Sequence, residues 1–165
     1  MRQLALLLSI WVTAVSLPNQ PAFAENAPIP LASDKPLELN LLASPTGSVV
    51  TANTIEQENL TVPSLWLAKE NSENKLLDNW IAYPVSGAEP ARIDLIVNQQ
   101  IWTLLDYLER YDFVNRLGTV ARNYGYNMRV FNYQQERLAT YTCNFSASPA
   151  MCRIDMNLQS KLGLK

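Results

Sequence analysis

The chain contains no histidine. It therefore cannot build a Ser-His-Asp or Cys-His catalytic group, an imidazole metal site or a histidine pH switch. It has only two cysteines, Cys143 and Cys152, too few for a closed four-ligand zinc site. Five glycines occur and none are grouped, so there is no glycine-rich phosphate loop. Charged residues make up 17% of the chain, against roughly 25% in ordinary globular proteins. Thirteen basic and fifteen acidic residues give a net charge of −2, which argues against an electrostatically driven nucleic-acid binder. What is present is 48% apolar residues over 165 positions, about one domain's worth of chain.

The first 24 residues read as an address. Arg2 supplies a short positive start, Leu4 to Leu17 is a mostly apolar run, and Pro18 and Pro21 break any helix. Ala22-Phe23-Ala24 then matches the small-x-small cleavage pattern of a secretory signal peptide. A spanning helix needs about 20 apolar residues, and Pro18 stops this run too early. Cleavage after Ala24 is expected to leave residues 25–165 with a net charge of −3 and no transmembrane segment.

Residues 25–62 hold Pro28, Pro30, Pro36 and Pro45-Thr46-Gly47-Ser48 and keep no helical period for more than a turn. Such composition reads as a disordered linker, because it offers little apolar surface to offset the entropy of ordering it. Leu37, Leu39, Leu41 and Leu42 form an apolar patch within it, read as part of the tether, with a docking peptide as the alternative.

Residues 63–158 read as a single α+β domain, and 159–165 as a flexible tail. Trp66, Lys69, Glu73, Leu76 or Leu77, Trp80 and Tyr83 recur at steps of three or four, which predicts an N-terminal helix closed by Pro84, or two short ones. Arg92 to Asn98 is a β-branched run long enough for a strand. Ile101, Leu104, Leu105 and Leu108 follow at helical spacing, as do Phe113, Leu117, Val120 and Tyr124. A break between two helices is expected near Tyr111-Asp112, with Asp112 as N-cap and Gly125 as the left-handed C-terminal cap. Further strands are expected within Tyr126–Tyr133, Leu138–Phe145 and Met151–Met156. The fold class is thus a small α+β domain with an N-terminal helix, a β-α-β crossover and a C-terminal antiparallel meander of about three strands.

Pro63-Ser64-Leu65-Trp66, Leu77 to Pro84, Ile93 to Asn98 and Gly118-Thr119-Val120-Ala121-Arg122 resemble a family of exported cyanobacterial proteins with no established activity. The resemblance covers roughly residues 63–157. It implies a photosynthetic bacterium and a periplasmic or thylakoid-lumenal destination, and it implies no chemistry.

The candidate chemistry is sparse. In an exported protein Cys143 and Cys152 read as a structural disulfide, since they stand equidistant from a turn at Ala147-Ser148. Ser72 and Lys75 match Ser-x-x-Lys, but the companion Lys-Thr-Gly and Ser-Asp-Asn elements are missing. Asp106 and Glu109 are three apart and could pair for acid–base work, although a solvated helix face ion-paired to Arg110 is the plainer reading. Asp94, inside an apolar strand, is either a buried functional acid or an outward-facing residue opposite Ile93 and Leu95. The many tyrosines and tryptophans read as core packing, with a ligand-lining role as the alternative. No catalytic residue, metal ligand or cofactor is assigned.

Charge is distributed unevenly. Residues 25–90 carry a net −6 and residues 91–165 a net +3, and every arginine after Arg2 lies in the second part. Arginine suits bidentate recognition of carboxylate or phosphate, but the two parts could also neutralise each other. Arg116, Thr119, Arg122 and Asn123 fall on the solvent side of a helix whose Phe113, Leu117, Val120 and Tyr124 face the core, and they form the candidate partner surface. The sequence is therefore read as an exported non-enzymatic interaction module, an auxiliary subunit or assembly factor. Its expected partner is a protein or membrane-associated complex with an acidic surface. The alternative is a small ligand-binding protein or a carboxylate-dependent hydrolase.

Overall fold

Six strands, all but the first rich in apolar side chains, order one mixed sheet. A computed structural model of the chain describes residues 28–54, Leu67 and residues 75–157. The strands are β1 (Val50–Thr51), β2 (Leu77–Tyr83), β3 (Arg92–Val97), β4 (Asn127–Phe131), β5 (Arg137–Asn144) and β6 (Met151–Met156). They lie side by side in chain order. Neighbours are antiparallel except β3 and β4, which run parallel. A parallel pair cannot be joined by a tight turn. Here two helices make the connection, α1 (Gln99–Leu104) and α2 (Tyr107–Asn123).

Both helices start where side chains satisfy their first amides. Asn98 accepts from the amides of Gln100 and Ile101 at 3.0 and 3.2 Å. Asp106 accepts from the Glu109 amide while Glu109 accepts from the Asp106 amide, both at 2.8 Å, a reciprocal capping box. The helix break therefore falls at Leu105-Asp106 and not at the expected Tyr111-Asp112, and Asp112 is interior to α2. At the other end Gly125 adopts φ +79, donating to the Arg122 carbonyl while Tyr126 donates to that of Ala121. This is the left-handed cap that Gly125 was expected to supply.

The sheet separates two cores. Strand alternation puts Trp80, Ala82, Ile93, Leu95, Val97, Met128 and Val130 on one face, packed with Phe113, Val114, Leu117 and Ala121 of α2. Trp102 of α1 meets Phe113 edge-on at 6.0 Å, and buried Leu67 joins the same cluster. Gly118 brings α2 down onto β5, where a Cβ would penetrate the Tyr141 ring. On the opposite face Ile81, Tyr83, Ile96 and Phe131 pack with Leu37 and Leu41.

Two expectations are overturned. Leu77–Tyr83 is a strand and not the end of a helix. Trp80 and Tyr83 are three apart yet lie on opposite faces, because a strand buried on both sides reads as a continuous apolar run whose spacing mimics a helix. The rest of that expected helix, apart from Leu67, lies outside the described residues. Nor is the whole of 25–62 an unpacked linker. Residues 28–51 form a strap over the second face, with a 3-10 turn at Leu39–Leu42 and β1 paired to Ala82 and Ile81 of β2. Leu37 and Leu41 bury their side chains there, and each such burial contributes about 1.5–3 kcal/mol toward holding the strap down.

Cys143 and Cys152 are disulfide-bonded and sit directly opposite each other in the β5–β6 register. Reduction should lower stability by about 2.5–3 kcal/mol on the loop-closure estimate, measured by urea denaturation with and without reductant. Gly118→Ala should destabilise by about 1–3 kcal/mol through overpacking, against the gain of roughly 1 kcal/mol that alanine brings to an unconstrained helix. The same denaturation measurement checks it.

Candidate functional site

On the strap-covered face, the in-register positions of β3 and β4 carry charge where a sheet interior would normally carry aliphatics. Asp94 lies opposite Arg129, and Arg92 opposite Asn127. Asp94 is fully buried and Arg129 only 2% exposed. The pair is bidentate. Arg129 Nε donates to Asp94 Oδ1 at 2.7 Å and its Nη2 to Oδ2 at 2.6 Å. The remaining amino group, Nη1, donates to the strap carbonyls of Ser33 and Lys35 at 2.8 and 2.7 Å. One guanidinium thus joins the sheet's buried acid to the backbone crossing over it. Of the two readings of Asp94, the structure gives a buried acid on the face opposite Ile93 and Leu95.

Arg92 is the second buried cation. Its guanidinium lies 3.8 Å from the Tyr83 ring centroid, the geometry of a cation–π contact. Its nearest carboxylate oxygens are Asp94 Oδ2 at 3.8 Å from Nε and Glu38 Oε2 at 4.0 Å from Nη2. Both exceed hydrogen-bond distance, and the buried Nε has no hydrogen-bond acceptor. Burial, with the negative charges of Asp94 and Glu38 nearby, pushes the Tyr83 hydroxyl well above the usual phenol range. The tyrosine therefore stays neutral against the ionic cluster. Thr142, also buried, has no hydrogen-bond partner for its hydroxyl among the described residues.

Ion pairs also tie the strap down at its edges. Arg137 Nη1 meets Asp34 at 3.2 Å, and Lys35 reaches Glu89 at 3.6 Å. The first of these joins the acidic first part of the chain to the basic second part, in line with the neutralising reading of the charge asymmetry, while Lys35–Glu89 lies within the first part. A cleft of about 410 Å³ remains between the strap at Pro30–Lys35 and the sheet, with Arg92, Asn127, Arg129 and Thr142 among its lining.

The other candidate residues lie on α2, across the sheet. Arg116 and Asn123 are exposed, and Thr119 and Arg122 half-buried. Arg122 Nη2 approaches Asn123 Oδ1 at 3.5 Å. Phe113 and Leu117 face the core as expected, Val120 is half-buried, and Tyr124 is exposed because it caps the helix. Asp106 and Glu109 are engaged as the capping box. Arg110 is not solvated. It is buried, donates to the Thr103 carbonyl at 3.3 Å and lies 5.4 Å from the Trp102 ring centroid. Ser72 lies outside the described residues, and Lys75 is exposed. The aromatics divide: Trp80, Trp102 and Tyr141 are core residues, while Tyr107, Tyr111, Tyr124 and Tyr133 are exposed. Sequence reasoning missed the partnership of Asp94 with Arg129, 35 positions apart. The signal that could have found it was a lone acid and a lone arginine, each inside an apolar strand.

Asp94→Asn should cost about 3–5 kcal/mol by leaving Arg129 buried without its counter-charge. It should also expose the strap to limited proteolysis between residues 28 and 49, read by mass spectrometry. Asp94→Leu with Arg129→Met should be less destabilised than Asp94→Asn in urea denaturation, because both charges are removed together. No family model, curated protein or solved structure matches this chain, so these sites stand on their geometry alone.

Proposed function

We propose that the protein is an exported, non-enzymatic interaction module that docks a partner protein through the outer face of α1 and α2. The observation carrying this reading is an apolar stripe facing solvent. Leu104 and Leu108 are 83% and 71% exposed, and Tyr107 and Tyr111 add two half-open rings 6.3 Å apart. Positions 107, 108 and 111 follow helical spacing along the first turns of α2, and Leu104 exposes its side chain at the end of α1 just before the break. Exposed tyrosine and leucine on a rigid helix present large contact area at low entropic cost.

Arg122 continues the stripe about three and four turns on from Tyr111 and Leu108, while Arg116 stands on the opposite side of the helix from Tyr107. An apolar stripe with a guanidinium at its far end suits a partner with an apolar groove and an acidic border, the charges governing register and association rate. Export to a periplasm or thylakoid lumen is supported by the leader-like first 24 residues and by the disulfide, which persists in oxidising compartments. No helix among the described residues is long and apolar enough to cross a membrane, which is consistent with a role beside a membrane complex as auxiliary subunit or assembly factor.

Crosslinking and co-purification from native extract test the reading. Leu104→Ser with Leu108→Ser should fold with an unchanged melting temperature, since neither side chain is buried, and should lose the co-purifying partner. Arg116→Glu with Arg122→Glu should weaken capture and flatten its dependence on salt. Retention of the same partner by the folded leucine double variant would overturn the assignment.

A further inference from the structure

The cleft under the strap lies across the sheet from the apolar stripe and is built differently. Its floor is a row of hydrogen-bond donors. Arg92 is registered with Asn127, and the pairing of Met128 with Tyr141 brings Thr142 beside Asn127 on the next strand. The Asn127 carbonyl oxygen accepts from the Cys143 amide at 2.8 Å, which leaves its NH2 group as the donor on offer. Among the described residues, neither the buried Thr142 hydroxyl nor the Arg92 Nε–H has a hydrogen-bond partner. Buried polar groups without partners are costly and rare in folded proteins. Two of them lining one cleft mark a place where an acceptor belongs.

The charges around the cleft specify the acceptor. Arg129 is saturated by Asp94 and the two strap carbonyls. The acids at the rim are already matched: Asp34 is paired with Arg137, and Glu89 with Lys35. Arg92 is the buried cation of this lining that is not hydrogen-bonded to a carboxylate, with Asp94 and Glu38 at 3.8 and 4.0 Å. Pro30, Leu31 and Pro90 contribute apolar side chains to the lining. A volume of about 410 Å³ falls in the range of small-molecule sites. We propose that this cleft binds a small organic carboxylate. Its head group is held by Arg92, the Asn127 amide and the Thr142 hydroxyl, and its aliphatic body lies against Pro30, Leu31 and Pro90. The Lys35–Glu89 pair bridges the strap to the β2–β3 connection beside the cleft.

The test is calorimetric titration of the full chain with octanoate, with 1-octanol and inorganic phosphate as comparison probes. Octanoate should bind, and about tenfold more tightly than octanol, because the alcohol forfeits the charge-assisted bonds. Phosphate should bind more weakly than octanoate, since it leaves the apolar side chains uncovered. Thr142→Val should weaken octanoate by about tenfold while leaving the melting temperature no lower than the parent's, since the hydroxyl it removes has no hydrogen-bond partner among the described residues. Leu104→Ser with Leu108→Ser should bind octanoate normally, which separates this cleft from the helix face. Absence of octanoate binding at millimolar concentration, equal affinity for octanol, tighter binding of phosphate, or unchanged affinity in folded Thr142→Val would each overturn the proposal.

Discussion

The bidentate contact between Arg129 and Asp94 is the constraint around which one whole face of the molecule is arranged. Burying either ion alone would cost several kcal/mol. Burying them together is tolerable only when the remaining donors also find acceptors, and here the strap supplies them through two carbonyls. The strap is therefore the outer wall of an ionic site as well as a cover for Ile81, Ile96 and Phe131. Remove the acid, and the cation that clasps the strap loses its reason to stay buried.

This arrangement gives the two sheet faces different tasks. The helix face is closed by aliphatic and aromatic packing and by a glycine that lets α2 approach Tyr141. That rigidity presents the outer side of α2 as a fixed surface, carrying the apolar stripe and Arg122. The strap face is closed by charge-assisted hydrogen bonds between segments about 95 residues apart. Directional bonds leave gaps that close packing would fill, and the cleft beside Arg92 and Thr142 is such a gap. An exposed apolar stripe and a polar cleft thus coexist in a small domain without sharing residues.

Much of the second half of the chain was legible from local pattern. The strand at 92–97, the cap at Gly125 and the hairpin that aligns Cys143 with Cys152 all follow from short-range chemistry: β-branched runs, a glycine after a helical period, and a symmetric turn. The same local reading failed at Leu77–Tyr83, where a strand buried on both faces shows no alternation, so its aromatics fall by chance at helical steps. It was half right at Asp106 and Glu109, which are exposed as a solvated face would be but form a capping box in place of an ion pair to Arg110.

The sequence by itself determined the absence of histidine, the address-like start, the disulfide, the α+β class and the gathering of arginines in the second half. Each is a property of composition or of neighbours within about ten residues, and such properties are set before any tertiary contact forms. Only the tertiary structure decided that the proline-rich segment is a strap, that Asp94 and Arg129 are partners, and that Arg92 and Thr142 share a cleft. Those facts depend on which strands lie side by side and in what register, and a shift of one residue would exchange the two faces.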